Sequence, residues 1–156
     1  MHHVCEYTGG RDEEIASFIL GIQNDEAGLN LTIAEQPDLI DIFRSYQKGG
    51  FWLALSDDRI VGTIGLLPFG RRGAIKKFFV APEFRGHSGP ARALFDCVLN
   101  VARLRGYSDL FLDTPRIATR SHAFYAREGF AQLSADQLPP EYEFPDRDSL
   151  IFGLSL

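Results

Sequence analysis

Apolar residues recur at helical spacing early in the chain. Ile15, Phe18, Ile19 and Ile22 fall on one face of the segment from Asp12 to Gln23, and acidic residues occupy its first turn, as a helix start favours. Pro37 opens a second helical pattern with Leu39, Ile40, Ile42, Phe43 and Tyr46, closed by Gly49 and Gly50. The pattern then changes to strands. Phe51 to Leu55 and Ile60 to Leu67 flank the turn-forming Ser56-Asp57-Asp58-Arg59, which predicts a hairpin. A further turn at Gly70 to Gly73 leads into a strand from Ala74 to Val80 with two lysines inside it. Gly89 to Arg105 reads as a helix, Asp109 to Asp113 as a strand, Ser121 to Glu128 as a short helix stopped by Gly129, and Leu150 to Leu156 as a last strand.

Two helices, an antiparallel run of strands, then strand–helix–strand–helix–strand predict an α/β fold. Both apolar sides of the sheet must be covered, so a mixed central β-sheet with helices on both faces is expected. The connection from Val80 through the long helix to Leu110 should be a right-handed crossover. No repeat or linker divides the 156 residues, so residues 1–156 read as a single domain.

Composition narrows the function classes. Hydrophobic residues make up 45% and charged residues 24%, an ordinary soluble balance, with thirteen Phe supplying much of the apolar volume. The net charge of −5 argues against nucleic-acid binding by bulk charge. No window reaches the roughly 20 apolar residues of a membrane span. The start, Met1-His2-His3-Val4-Cys5-Glu6, lacks the pattern of a secretory signal, which points to the cytoplasm. Cys5, beside a first strand, and Cys97, inside the long helix, read as free thiols, and they lack the spacing of a zinc site. No metal is expected. His2 and His3 read as a frayed, solvated terminus.

The stretch from Phe79 to Phe95 runs from a strand through a glycine-containing turn into a helix. A helix start leaves backbone N–H groups without partners and carries partial positive charge, so a phosphate there meets both needs. Gly86 and Gly89 let the backbone come close, and Arg85 adds a charge. The same residues also make an ordinary tight turn, and Pro90 suits a first helical position with or without a ligand. The helix beyond carries a wide apolar stripe of Leu94, Phe95, Val98, Leu99, Val101 and Ala102, so it should be well buried.

Val80-x-Pro82-x-x-Arg85-Gly86, then Gly89-x-Ala91, Ala93-Leu94-Phe95 and Arg105-Gly106-Tyr107 resemble motif A of the GNAT N-acetyltransferases. Ser121-His122-Ala123-Phe124-Tyr125 with the ending Glu128-Gly129-Phe130 is similar to that family's motif B. The resemblance covers about the last half of the chain. It implies the GNAT fold, acetyl-CoA as cosubstrate and transfer of acetyl to an amine. It assigns Phe78, Phe79 and Val80 to the pantetheine arm. It assigns Arg85, Gly86, His87, Ser88, Gly89, Ala91 and Arg92 to the pyrophosphate. Here Gly86, His87 and Ser88 separate Arg85 from Gly89: either the loop has one extra residue, or Gly86 takes the family's first glycine place. The arm should need the sheet to splay after Val80.

Tyr125 carries two readings, half-buried packing or, as the resemblance implies, the acid that protonates the coenzyme A sulfur. Asp113, twelve residues before it at a strand end, is either the base for the acceptor amine, as the resemblance implies from family members with an acidic residue at the end of the fifth strand, or a carboxylate capping the turn at Thr114-Pro115. His122 is a second candidate base. Where the family often has Asn this chain has Ala118, for which Thr119 or Ser121 could substitute. Cys97 lies mid-helix with no His set to activate it, so direct transfer in a ternary complex is expected. The acceptor would be a small-molecule amine or a protein or peptide amine, with a homodimer left open as the assembly. The stretch Leu138 to Asp148, with four acidic residues against one basic, reads as a solvated loop or as one wall of a site for a cationic amine. Two other classes stand beside this one: an acyl-CoA-binding sensor without catalysis, and a dinucleotide-binding domain, which would want its glycine loop early within repeated βαβ units.

Overall fold

A computed structural model describes residues 2–86, 89–143 and 148–156. Seven strands form one sheet in the order β1-β2-β3-β4-β5-β7-β6. They are β1 (His3–Glu6), β2 (Gly50–Ser56), β3 (Arg59–Phe69), β4 (Arg72–Val80), β5 (Asp109–Pro115), β6 (Ala131–Leu133) and β7 (Ser149–Ser155). Among the described residues four α-helices accompany them: α1 (Asp12–Leu20), α2 (Ile42–Ser45), α3 (Pro90–Leu104) and α4 (Thr119–Arg127). Neighbouring strands are antiparallel except β4 and β5, which α3 connects and which run parallel. The mixed sheet with helices on both faces is as expected.

Strand alternation sorts the core into two sides. On β2, Phe51, Leu53 and Leu55 pack with Ile15, Ala16 and Ile19 of α1 and with Leu39, Ile42 and Tyr46. Trp52 and Ala54 face the other way, into a core with Leu94, Phe95, Val98 and Ala102 of α3. A Cβ on Gly62 of β3 would stand 2.8 Å from Leu94 Cδ1, so α3 lies against the sheet at a position without a side chain.

Several boundaries differ from the sequence reading. The first helix continues past Leu20 as a π-helical turn, Gly21–Glu26, with Ala27 N–H bonded to Ile22 O. The second pattern splits into a 3-10 turn, Pro37–Leu39, and the short α2, because the Asp41 side chain accepts from Arg44 N–H and starts a new helix. Ile40 and Phe43 of that pattern are exposed. His3 is paired with Leu55 in β1 rather than frayed. β6 carries no alternating apolar pattern of its own and owes its conformation to pairing with β7.

Candidate active site

The site is a gap in the sheet. β4 and β5 pair only at Arg72–Asp109, Gly73–Leu110 and Ala74–Phe111. Beyond that, β5 stays with β7 as far as Pro115–Ser149, and β4 stays with β3 as far as Gly62–Val80. From Ile75 and Leu112 onward the two facing edges have no ladder partner among the described residues. The opening therefore begins at Ile75, inside the strand, and not after Val80. Phe78, Phe79 and Val80 belong to a strand held along one edge only.

A β-bulge accompanies this divergence. Thr63 faces Phe79 and Gly65 faces Lys76, so Lys77 and Phe78 together oppose Ile64. Lys77 sits at φ 53°, in the left-handed region. The Thr63 hydroxyl donates to Lys77 O at 2.7 Å and holds the extra residue in place. The bulge shifts the alternation of β4, so two consecutive lysines reach side groups on the same side of the sheet. Lys76 meets Tyr142. Lys77 Nζ donates to Gln36 Oε1 at 2.8 Å and pairs with Asp38 at 3.7 Å. Gln36 exchanges two amide hydrogen bonds with Gln23, and Asp38 accepts from the Tyr46 hydroxyl. Burial lowers the pKa of Lys77, and Asp38 opposes that shift.

β4 ends at a 3-10 turn, Pro82–Phe84, that leads to α3. Gly86 has φ 134°, a conformation open to glycine. A Cβ on Gly89 would lie 2.2 Å from Phe84 O, so the turn itself demands glycine there. Gly89 N–H is used within the turn on Gly86 O, and Pro90 has no N–H, which leaves Ala91 and Arg92 as the helix's own donors without a partner among the described residues. His87 and Ser88 lie outside the described residues. Arg85 turns back, with Nε on Val80 O at 3.0 Å and its guanidinium on Glu26 of the π-helical turn. Arg92 is paired with Asp96 and with Glu128 beyond α4. An open groove of about 430 Å³ runs from Ser17–Glu26 to Ala81–Glu83 at this end of β4.

Tyr125 of α4 is 5% exposed, with its ring against Phe78, Phe124, Phe130 and Phe152. Burial first, then the charge of Asp113, pushes its hydroxyl well above the ordinary tyrosine range. Asp113 of β5 accepts a hydrogen bond from the Tyr142 hydroxyl, not from the Thr114-Pro115 turn. His122 is 2.9 Å from Pro115 O through Nε2 and packs at a tilt against Phe152. Tyr125 and Asp113 thus come within electrostatic reach of each other beside the gap, while the arginines of the loop are held by carboxylates.

Lys77, Gln36, Asp38 and Tyr142 were not among the residues singled out from sequence. The run Lys76-Lys77-Phe78-Phe79 does carry a signal, since a regular strand would send neighbouring lysines to opposite faces. Tyr142 is separated from Asp113 by 29 residues and nothing local marks it. Residues 144–147 of the acidic stretch lie outside the described residues.

A model of the Acetyltransferase (GNAT) family matches residues 16–130. Human N-acetyltransferase 8 is 38% identical over 102 residues, which is 60% of this chain and 44% of that protein. The chain spans less than half the length of such curated relatives. An acetyltransferase from Streptococcus agalactiae superposes with a TM-score of 0.94 at 37% identity, covering 99% of this chain and 98% of that one. A GNAT-family acetyltransferase from Staphylococcus aureus also gives 0.94, at 29% identity, with 99% of each chain covered.

Proposed function

Since the chain belongs to the Acetyltransferase (GNAT) family, we propose that it transfers acetyl from acetyl-CoA to a primary amine by direct attack in a ternary complex. The observation that carries this reading is the edge of β4 from Ile75 onward, which has no ladder partner on the gap side among the described residues and runs toward the start of α3. A pantetheine arm has amide groups that such an edge can pair, and the N–H groups of Ala91 and Arg92 suit a pyrophosphate oxygen. Arg85 and Arg92 are close enough to the turn to exchange a carboxylate for a phosphate. Gly86, His87, Ser88 and Gly89 complete the loop in this reading.

The cosubstrate supplies an activated thioester. The acceptor nitrogen bonds to its carbonyl carbon, the carbon–sulfur bond breaks, and the sulfur leaves with the electron pair. Asp113 takes the proton that the acceptor ammonium must lose before attack, and the second nitrogen proton goes to solvent once the new bond has formed. Tyr125 gives a proton to the sulfur, and its raised pKa keeps it in the protonated form that a donor starts from.

The acceptor is a small-molecule amine or a protein or peptide amine that enters from the Lys77–Asp38 side. Cys5 and Cys97 are free thiols, which suits the cytoplasm as the site of action. Among the described residues no helix is long and apolar enough to cross a membrane.

Calorimetry with coenzyme A, followed by a panel of amines and peptides with acetyl-CoA and detection of released thiol, tests the proposal. We expect binding and acetylation of at least one acceptor class. Absence of coenzyme A binding would overturn the reading, and binding without turnover across the panel would favour a sensor.

A further inference from the structure

Lys76 and Asp113 stand on the two strands that part company, Lys76 on β4 and Asp113 on β5. Tyr142 lies between them. Its hydroxyl donates to Asp113 Oδ1, and Lys76 Nζ donates to the same hydroxyl at 3.4 Å while lying 5.0 Å from the ring centroid. We propose that Tyr142 is a positioning residue for acyl transfer, whose hydroxyl ties Asp113 to Lys76 across the gap and holds the carboxylate in one orientation. This rests on the reading of Asp113 as the proton acceptor.

The tie has its own foundation. The Tyr142 ring packs against Phe69 and Phe111 at 5.4 and 5.1 Å between centroids, together with Ala74. Its N–H bonds Pro139 O, and Arg72 Nη1 holds Gln137 O at 2.8 Å, with Ser134 and Gln137 closing a capping box. The hydroxyl is thus presented to Asp113 by a segment anchored elsewhere. Asp113 Oδ2 has no hydrogen-bond partner among the described residues and is left for an acceptor N–H. Burial first, then the Asp113 charge and the hydrogen bond to it, raises the Tyr142 pKa far above the ordinary range, so the phenol stays a donor at any working pH. The Lys76 ammonium polarises the hydroxyl that donates to Asp113.

Among the described residues, the other groups facing Asp113 are Lys77 on β4 and Tyr125 on α4, both of which interact with its charge. His122 of α4 is bonded to Pro115 O nearby. None of these is altered by Tyr142→Phe, which keeps the ring and removes one oxygen.

The test is a substitution series in the full chain: Tyr142→Phe, Lys76→Met, Asp113→Asn, and Tyr142→Phe combined with Asp113→Asn. Each is read by urea unfolding and by kcat and KM with acetyl-CoA and the acceptor found by the amine panel. In Tyr142→Phe, kcat should fall about ten- to a hundred-fold while KM for acetyl-CoA stays within about two-fold, as misplacement of a reacting group predicts. Lys76→Met should lower kcat by less, and it guards against a folding defect of the first variant. With Asp113→Asn already in place, Tyr142→Phe should lower kcat no further. An unchanged kcat in folded Tyr142→Phe, or an equal loss with and without Asp113, would overturn the proposal. If the unfolding effects of Tyr142→Phe and Asp113→Asn are non-additive while Asp113→Asn retains full activity, the tie stands and the reading of Asp113 as the base fails.

Discussion

Tyr125 is packed like a core residue, and in the proposed reading its hydroxyl is also the acid. Its ring contacts with Phe78, Phe130 and Phe152 survive in Tyr125→Phe, which removes only the hydroxyl. That hydroxyl makes no hydrogen bond among the described residues, so its loss should change stability by less than about 1 kcal/mol. Turnover should fall about a hundred- to ten-thousand-fold if the hydroxyl is the acid, with coenzyme A affinity nearly unchanged. Single-turnover rates and a melting curve read the two quantities separately, and full turnover under rate-limiting chemistry would move the acid elsewhere. Gly89 is a less informative position than the sequence suggested. Any side chain there meets Phe84 O, so a variant distorts the turn before it meets a ligand. The signal for glycine was present in the sequence, but its cause is the backbone of the turn itself.

At the scale of the element, β4 holds most of the site, and its bulge is where two constraints compete. Lys77 occupies a left-handed conformation, which costs an ordinary residue about 1–2 kcal/mol. Its ammonium is held by Gln36 and Asp38, and its carbonyl by Thr63. Lys77→Gly removes the side-chain contacts but relieves the backbone, whereas Lys77→Ala removes the contacts and keeps the strain. Urea unfolding should therefore show Lys77→Ala as the less stable of the two, by about 1 kcal/mol. Equal stabilities would mean that the bulge is not maintained at Lys77 once its anchor is gone. The anchor matters because Gln36 and Asp38 belong to the segment between α1 and α2, so the bulge and that segment are held together by one buried ammonium.

For the molecule as a whole, buried phenols set the alkaline limit. Tyr46, Tyr125 and Tyr142 are raised by burial and by nearby carboxylates, and Tyr7 is pushed up to about 12 by burial and its bond to Asp12. Unfolded tyrosines ionise near 10. A folded value above the unfolded one contributes stability that is fully present below about pH 10 and lost as pH rises through the folded value. Cys97, raised by burial, acts in the same direction from a lower starting point. Lys77 acts in the opposite direction, since its folded pKa is lowered and the unfolded chain binds that proton more tightly. Four tyrosines and a thiol outweigh one lysine. Urea unfolding between pH 8.5 and 11 should show stability falling with rising pH, less steeply in Tyr142→Phe than in the parent. A flat profile would contradict the burial of these hydroxyls.

The periodic apolar positions of β2, α1 and α3 were readable because local pattern and tertiary demand agree there. Phe51, Leu53 and Leu55 alternate with Trp52 and Ala54, and Leu94, Phe95, Val98 and Ala102 form a stripe, whatever lies opposite. The loop before α3 and the Tyr125 helix were readable for a different reason, their resemblance to known motifs. The place where the sheet opens was not, because β5 keeps β7 on one edge throughout while its other edge parts from β4 beyond Phe111, a divergence between strands far apart in the chain. Nor was the company of Asp113. Its partner Tyr142 lies 29 residues on, in a segment without periodicity, and the two meet only because Phe69 and Phe111 form the seat for that ring. Local spacing encodes which face a residue presents, and long-range packing decides which group it finds there.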